Sequence, residues 1–240
     1  RSLSDFGRGV LHSYQSCSWP TRMDDAPRTS SPFNSRKPVL AQACALILLV
    51  SIWVLVFSKV GLYPVPLFAF HPLLVSLGLY LLFQGMAALQ KARGQDEKAR
   101  GLLRHQILLG VLGVPLVTAG VYIMWHLHSK PGAKHFISWH GVVGVLLLLG
   151  FWVQGIFGLA AVYVPRLLFG SEARAKAMYK YHRYVPWRIT HATRLFGYAL
   201  GTLILLELLL AIWEVRWVQT ATQLPHRVLA TGLVLALGFG

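Results

Sequence analysis

Six long apolar stretches constrain this chain more than any other feature of its sequence. A helix needs roughly 20 apolar residues to cross a hydrocarbon core of about 30 Å, and five of the six stretches are long enough. The sixth ends while still apolar, and the first residue is Arg1 rather than Met, so we expect a fragment whose sixth helix continues. The sequence therefore predicts an all-α integral membrane protein with six transmembrane helices, the sixth truncated. The stretches run near Val39–Phe57, Leu67–Leu89, Gln106–Trp125, Ser138–Tyr163, Ile189–Trp213 and Pro225–Gly240.

Composition excludes two other classes of protein. Hydrophobic residues make up 55% of the chain and charged residues only 13%, against about 25% charged residues in an ordinary soluble domain. A soluble protein of this composition would leave a large apolar surface in water, and a disordered chain contains far fewer apolar residues. The lipid bilayer is therefore the expected environment.

The basic residues are distributed unevenly between the two sides of the predicted bundle. The chain has 23 Lys and Arg against 8 Asp and Glu, a net charge of +15. Eighteen of the basic residues lie in the N-terminal tail, in the second–third connection, or in the fourth–fifth connection and the start of helix five; five lie elsewhere. Cytoplasmic loops of membrane proteins carry an excess of Lys and Arg. The pattern thus predicts a multi-pass protein with a cytosolic N-terminus, and a nucleic-acid partner is not expected.

The chain divides into a tail and a membrane domain. Residues 1–38 are rich in Ser, Pro and Arg without a periodic apolar face, which predicts a disordered, basic, cytosolic tail. No apolar segment precedes Val39, so we expect no cleavable signal peptide and a first helix that acts as its own anchor. Residues 39–240 form the predicted transmembrane domain.

Four successive helices each carry a histidine near their start. They are His71 in FAFHPLLVSL, His105 in LLRHQILLG, His140 in ISWHGVVGVL and His191 in RITHATRLFGY. Because consecutive helices run in opposite directions, His71 and His140 are expected near the outer face, and His105 and His191 near the cytosolic face. Ionisable side chains inside a membrane span are costly and usually functional.

One histidine at a matching depth in each of four successive helices favours two haems, each bound between parallel helices by two axial imidazoles. Such haems have no open coordination site and suit electron transfer. No Cys-x-x-Cys-His sequence is present, so two haem b groups, held without covalent attachment, are predicted. A structural zinc site is a weaker interpretation, because it needs four ligands in one place. Another class of function also stays open, in which the histidines serve helix packing or proton relay in a transporter or scaffold.

The segments FAFHP, LLRHQ, HFISWHGVVG and RITHATRLFGY resemble the cytochrome b561 family of transmembrane ascorbate-dependent reductases. The resemblance covers about residues 40–240. It implies a central four-helix bundle with two b haems, an outer one held by His71 and His140 and a cytosolic one held by His105 and His191. The Lys134-His135-Phe136 run, and the lack of a preceding DOMON-type domain, are similar to the short stand-alone members.

The resemblance also implies electron flow from cytosolic ascorbate to monodehydroascorbate or ferric iron outside. A haem-carrying subunit of a membrane complex, without a small reductant of its own, is the alternative function. A homodimer is a further possibility.

Basic residues beside each predicted haem are the candidate substrate contacts. On the cytosolic side they could attract an anionic donor. Alternatively, they only set the orientation of the protein in the membrane and attract anionic lipid. On the outer side they could bind an anion or iron, or lie in a solvated loop. The candidates are Lys98, Arg100, Arg104 and Arg188 on the cytosolic side, and Lys134 and His135 outside.

Two further features of the helices have more than one interpretation. Small residues beside the predicted ligands, such as Gly141 and Gly144, could admit a porphyrin or allow tight helix packing. Glu207, far along helix five, could accept a proton near the outer haem, but snorkelling to the interface is the favoured expectation.

Overall fold

The computed structural model describes residues 32–90, 95–164, 170–171 and 191–238, with backbone alone at 32–38, 89–90, 95–96, 98, 161–162 and 191–198. Within these ranges the regular secondary structure is entirely helical. The helices are α1 Pro32–Val60, α2 Phe70–Gln90, α3 Gln95–Gln106, α4 Val114–His128, α5 Trp139–Tyr163, α6 His191–Trp213, α7 Arg216–Ala221 and α8 Leu224–Gly238. A short 3₁₀ turn, Leu67–Ala69, leads into α2, and a π-helical segment, Ile107–Gly113, joins α3 to α4.

Four of these helical stretches are long and apolar enough to cross a membrane: Val39–Val60, Leu67–Ala88, Ala99–His128 and Trp139–Ala160. Between 17% and 28% of each apolar window is buried inside the protein, so most of its surface is left for lipid. Two shorter apolar helices, Ala199–Trp213 and Leu224–Gly238, lie in the regions of the fifth and sixth predicted spans. The integral membrane, all-α prediction is confirmed for the described residues, and the full count of six spans stays a prediction.

The long helices form a closed ring of neighbours. Helix α1 packs on α2, α2 on the rod formed by α3, the π segment and α4, that rod on α5, α5 on α6, α6 on α8, and α8 again on α1. The contact between α2 and α4 is the most extensive. Small apolar clusters fill the helix contacts, including Leu82 with Val114 and Val117, and Val143 with Leu147 and Leu200.

Glycines allow α2 and the rod to pack closely. A Cβ atom added at Gly78 would lie 2.7 Å from Cγ2 of Val117 and 2.9 Å from the carbonyl oxygen of Gly113. A Cβ at Gly120 would lie 2.6 Å from Cγ2 of Val75. Membrane helices associate through small residues that let their backbones approach. This close contact brings backbone carbonyls of one helix within reach of side chains on the other.

The π segment was not foreseen from the sequence. It begins two residues after His105 and ends two residues before Pro115. Proline lacks an N–H and its ring crowds the carbonyl four residues earlier, so a regular α-helix is unfavourable there. A π-helical turn is one way to relieve that conflict, and such turns are frequent at functional sites.

Helix α1 begins before the predicted span. The sequence predicts a disordered tail as far as residue 38, whereas the helix already begins at Pro32. Proline is favoured in the first turn of a helix, because its missing N–H would have no intrahelical partner there. The rest of the predicted tail, residues 1–31, lies outside the described residues.

Candidate functional site

His71 lies in the first turn of α2, and its ring is held by the neighbouring helix. Its Nδ1 is 3.0 Å from the carbonyl oxygen of Gly120 on α4. Since a carbonyl only accepts hydrogen bonds, Nδ1 must be the nitrogen that donates, and Nε2 then carries the lone pair of the neutral ring. Metal-binding histidines typically have this arrangement, in which one ring nitrogen donates to the protein and the other faces the metal.

His105 repeats the arrangement at the other end of the same helix pair. Its Nδ1 lies 3.1 Å from the carbonyl oxygen of Gly85 on α2. The imidazole therefore donates from Nδ1, and its Nε2 carries the lone pair. Two of the four predicted ligand histidines thus share one feature that sequence reasoning did not identify, a hydrogen bond to a glycine carbonyl on the adjacent helix.

These two contacts establish two levels in the bundle. The start of α2 lies beside the middle of α4, and the last turns of α2 lie beside His105, which is earlier in the chain than α4, so α2 and the rod are antiparallel. His71 and Gly85 are separated by fourteen residues of one helix, a rise of about 21 Å. His71 and His105 therefore lie at two different levels of the bundle, and the membrane face that each level meets stays a prediction.

His140 lies at the same level as His71. It is the second residue of α5, and the centroids of the two imidazole rings are 6.1 Å apart with an angle of 82° between the ring planes. The two rings come from different membrane helices, 69 positions apart in the sequence. Two imidazoles on opposite sides of one metal ion, each bound at about 2 Å through nitrogen, have centroids roughly 6 Å apart. The pair is therefore spaced to hold an iron between them, and the donor set fits a bis-histidine haem.

The start of α5 is fixed by polar contacts on three successive residues. The Oγ of Ser138 accepts a hydrogen bond from the N–H of Gly141 at 3.2 Å, an ordinary N-cap. The two carboxylate oxygens of Glu214 accept from the N–H groups of Trp139 and His140, each at 2.8 Å. Glu214 follows the last residue of α6. Glu214 was not identified from the sequence. Its only signal in the sequence is that it is an acidic residue directly after an apolar stretch.

The remaining predicted ligand is placed by its backbone alone. His191 is the first residue of α6, at the end of that helix opposite to Glu214. Its side chain lies outside the described residues, and so does the whole of Arg188. The predicted pairing of His191 with His105 stays a prediction.

Two of the cytosolic basic candidates are exposed near His105. Arg100 and Arg104 lie one turn apart on α3, and both side chains are exposed. The side chain of Lys98 lies outside the described residues. On the same side, the hydroxyl of Tyr163 donates to Oε1 of Gln106 at 2.9 Å. Burial raises the pKa of Tyr163, and the hydrogen bond to Gln106 partly opposes that rise, so the phenol stays neutral at physiological pH.

The outer candidates lie in the loop before α5. Lys134 is exposed, and its carbonyl oxygen accepts a hydrogen bond from Nδ1 of His128 at 2.8 Å. His135 is half-buried against Trp125, with ring centroids 4.3 Å apart and planes at 33°. Its Nε2 lies 3.3 Å from Oγ of Ser129. Stacking and hydrogen bonds therefore hold the loop that leads into α5, the helix that carries His140, and Lys134 is exposed on it.

The family model for eukaryotic cytochrome b561 matches residues 70–205 of this chain. That range is more than half of the chain and includes all four histidines discussed above. The chain belongs to the cytochrome b561 family. Cytochromes b561 are haem-binding membrane proteins, so the family and the His71–His140 geometry point to the same class of cofactor.

Individual cytochrome b561 relatives are distant in sequence. The transmembrane ascorbate-dependent reductase CYB561 of Pongo abelii is 27% identical over 168 residues, which cover 69% of this chain and 62% of that protein. The same-named protein of Sus scrofa is 28% identical over 138 residues, 58% of this chain and 51% of that protein. The probable ascorbate-specific transmembrane electron transporter 1 of Oryza sativa subsp. japonica is 24% identical over 136 residues, covering 57% and 54%.

This cytochrome b561 chain spans between 51% and 62% of the length of those relatives. No solved structure matches the chain.

Proposed function

We propose that this protein carries electrons across a membrane through two b haems. His71 and His140 hold the outer haem, and His105 and His191 hold the cytosolic one, within a bundle of six spans whose N-terminus is cytosolic. The observation that supports this most strongly is the His71–His140 pair, with ring centroids 6.1 Å apart on two different helices. Haem b supplies a one-electron carrier that needs no open coordination site.

The protein's own residues hold and separate the two sites. The Gly120 and Gly85 carbonyls orient the imidazoles of His71 and His105, and so leave Nε2 of each ring as the nitrogen that would bind the iron. The antiparallel helices separate the two levels by about 21 Å, so that both would lie within a hydrocarbon core of about 30 Å. Lipid-facing apolar surface keeps water and ions away from the space between them.

The donor is proposed to be ascorbate on the cytosolic side, because the relatives are named as ascorbate-dependent or ascorbate-specific proteins. Ascorbate gives up one electron and one proton and becomes monodehydroascorbate, and the proton remains on the cytosolic side. Lys98, Arg100, Arg104 and Arg188 provide the positive charge that attracts this anion, because they precede the two cytosolic ligands in sequence.

The acceptor is proposed to be monodehydroascorbate or a ferric chelate on the outer side. Either takes up one electron, and monodehydroascorbate also takes up a proton from the outer solution. Monodehydroascorbate is an anion, and so is a ferric chelate formed with a carboxylate chelator. The exposed Lys134, in the loop before His140, suits an anionic ligand. His135 is the next residue of the same loop.

The proposal is tested first by spectroscopy. The purified protein should show a Soret band and a reduced α-band of b type, with two haems for each chain. His71→Ala and His140→Ala should each lose the outer haem and keep the cytosolic one. His105→Ala should do the reverse. A chain without these bands, or one substitution that removes both haems from a folded protein, would contradict the two-site proposal.

Transport is tested in sealed vesicles. With ascorbate on the cytosolic side, the wild-type protein should reduce an external ferric chelate, and His71→Ala should abolish that reduction. Reduction of the purified protein by ascorbate alone, within seconds, distinguishes the proposal from a haem subunit that depends on a partner enzyme. If reduction requires an added protein, the ascorbate assignment is wrong.

A further inference from the structure

Glu207 is the only charged side chain that is buried among the described residues, with 9% of its surface exposed. Its Oε1 lies 2.8 Å from Nδ1 of His140, and both that Nδ1 and the carboxylate Oε2 are buried without a hydrogen bond in this structure. Snorkelling to the interface, the favoured sequence expectation, is therefore wrong for this residue. A buried carboxylate is costly unless its charge is compensated. This cost calls for an explanation beyond packing.

The neighbouring backbone is shaped to accept the carboxylate. A Cβ atom added at Gly144 would lie 2.8 Å from Oε1 and 3.6 Å from Cδ of Glu207. Gly144 is one turn beyond His140 on α5, so its missing side chain leaves the space in which Glu207 reaches the imidazole. Of the two interpretations of Gly144, close helix contact is the one that the structure favours.

The partner of His140 differs in charge from those of the other described histidine ligands. His71 and His105 each donate from Nδ1 to a neutral glycine carbonyl, whereas Nδ1 of His140 faces a carboxylate. A carboxylate draws the Nδ1 proton more strongly than a carbonyl does and makes Nε2 a stronger electron donor to a metal. Its negative charge, in a medium of low dielectric, also favours the oxidised, more positive iron.

We propose that Glu207 is a positioning residue that accepts the Nδ1 hydrogen of His140 and holds the reduction potential of the outer haem low. The inference rests on the proposed function, because it requires that His140 would hold the outer haem. It assigns an electrostatic role at the outer haem to one side chain on α6. The proposed hydrogen bond requires a change in ring orientation only, because Nδ1 and Oε1 are already 2.8 Å apart.

The test is a spectroelectrochemical titration of the purified holoprotein. Glu207→Gln keeps an oxygen that accepts from Nδ1 but removes the charge, so both haems should remain. The reduction equilibrium of the outer haem should shift about tenfold toward the reduced form, which is about 59 mV for one electron. The titration is repeated in a His105→Ala background, where only the outer haem is present, so that the shift can be assigned.

A second variant tests the orienting role. Glu207→Leu removes the acceptor, and the affinity for the outer haem should fall by about 10–100-fold while the cytosolic haem is retained. Gly144→Ala should displace the carboxylate with its charge intact, and should give a potential shift of the same sign as Glu207→Gln. Gly150→Ala is the matched control, since its Cβ would press on Leu200 at 2.5 Å in the same α5–α6 contact without touching a carboxylate.

The outcomes separate the two proposals. If wild-type protein binds two haems but Glu207→Gln leaves both potentials unchanged, the role of Glu207 is wrong and the proposed function stands. If Gly150→Ala shifts the outer potential as much as Gly144→Ala, the effect comes from helix packing and the inference is overturned. If the wild-type protein binds no haem, the proposed function fails first.

Discussion

At the scale of single residues, two glycine carbonyls orient two imidazoles. Gly120 and Gly85 act through their backbones, and a glycine serves at both positions because the helices approach closely there. The four histidines could be predicted from their register with the apolar stretches. Their hydrogen-bond partners could not, because a backbone carbonyl is present at every position and carries no sequence signal. Glu207 was visible in the sequence, but its burial depends on Gly144 of another helix.

Replacing Gly85 with alanine is expected to disturb the site of His105. The added Cβ would overlap the Cδ1 atom of Leu109 and lie 3.1 Å from Cβ of Leu108. Overpacking of this kind costs about 1–3 kcal/mol. The separation of α2 from the rod should also lengthen the bond from His105 to Gly85. Thermal unfolding followed by circular dichroism should move to lower temperature, and haem content should fall toward one haem for each chain.

Gly232→Ala provides the control for that experiment. A Cβ at Gly232 on α8 meets nothing within 4 Å, and alanine is favoured over glycine in a helix by about 1 kcal/mol. This variant should unfold at the same or a higher temperature and keep both haems. An equal loss of haem in both variants would mean that the Gly85 contact has no specific role.

At the scale of elements, the carboxylate of Glu214 ties the end of α6 to the start of α5. It accepts from two N–H groups that would otherwise have no intrahelical partner. A negative charge at this position is also favoured by the helix dipole. The lengths of the apolar stretches predicted where the helices run. They did not predict the bonds of Glu214, which are tertiary contacts, or the π segment, which lies just before Pro115 inside an apolar stretch.

Glu214→Ala should destabilise the start of α5. Loss of a helix cap costs about 0.5–2 kcal/mol, and hydrogen bonds to charged groups are at the upper end of that range. The unfolding temperature should fall, and the outer haem should dissociate before the cytosolic one on heating. Glu214→Gln keeps one acceptor oxygen and should give a smaller change. A Glu214→Ala protein as stable as wild type would show that water replaces the cap fully.

At the scale of the whole molecule, charge distribution predicts which end of the bundle faces the cytosol. The exposed Arg100 and Arg104 lie at the His105 end, and the exposed Lys134 lies at the His71–His140 end. Composition and apolar length were sufficient to predict a helical membrane protein, and that prediction is confirmed. The order in which the helices follow one another around the ring could not be predicted, because the apolar surface of each helix can pack on many other helices.

Orientation is tested with single cysteines and a membrane-impermeant maleimide in intact cells. Cys17 is first replaced by serine, while the buried Cys44 is left in place. Lys134→Cys should be labelled from outside, whereas Arg100→Cys should be labelled only after the membrane is permeabilised. The opposite pattern would place the N-terminus outside and reverse the proposed direction of electron flow.

Helix α6 begins at His191 and ends at the level of His140, where Glu207 and the adjoining Glu214 contact that residue. Its 23 residues form a rod of about 34 Å. A stiff rod transmits axial displacement along its length, so a push at one membrane face moves the groups at the other by a similar amount. Axial displacement of the first turn of α6 would therefore also displace Glu207 and Glu214, and with them the contacts of His140.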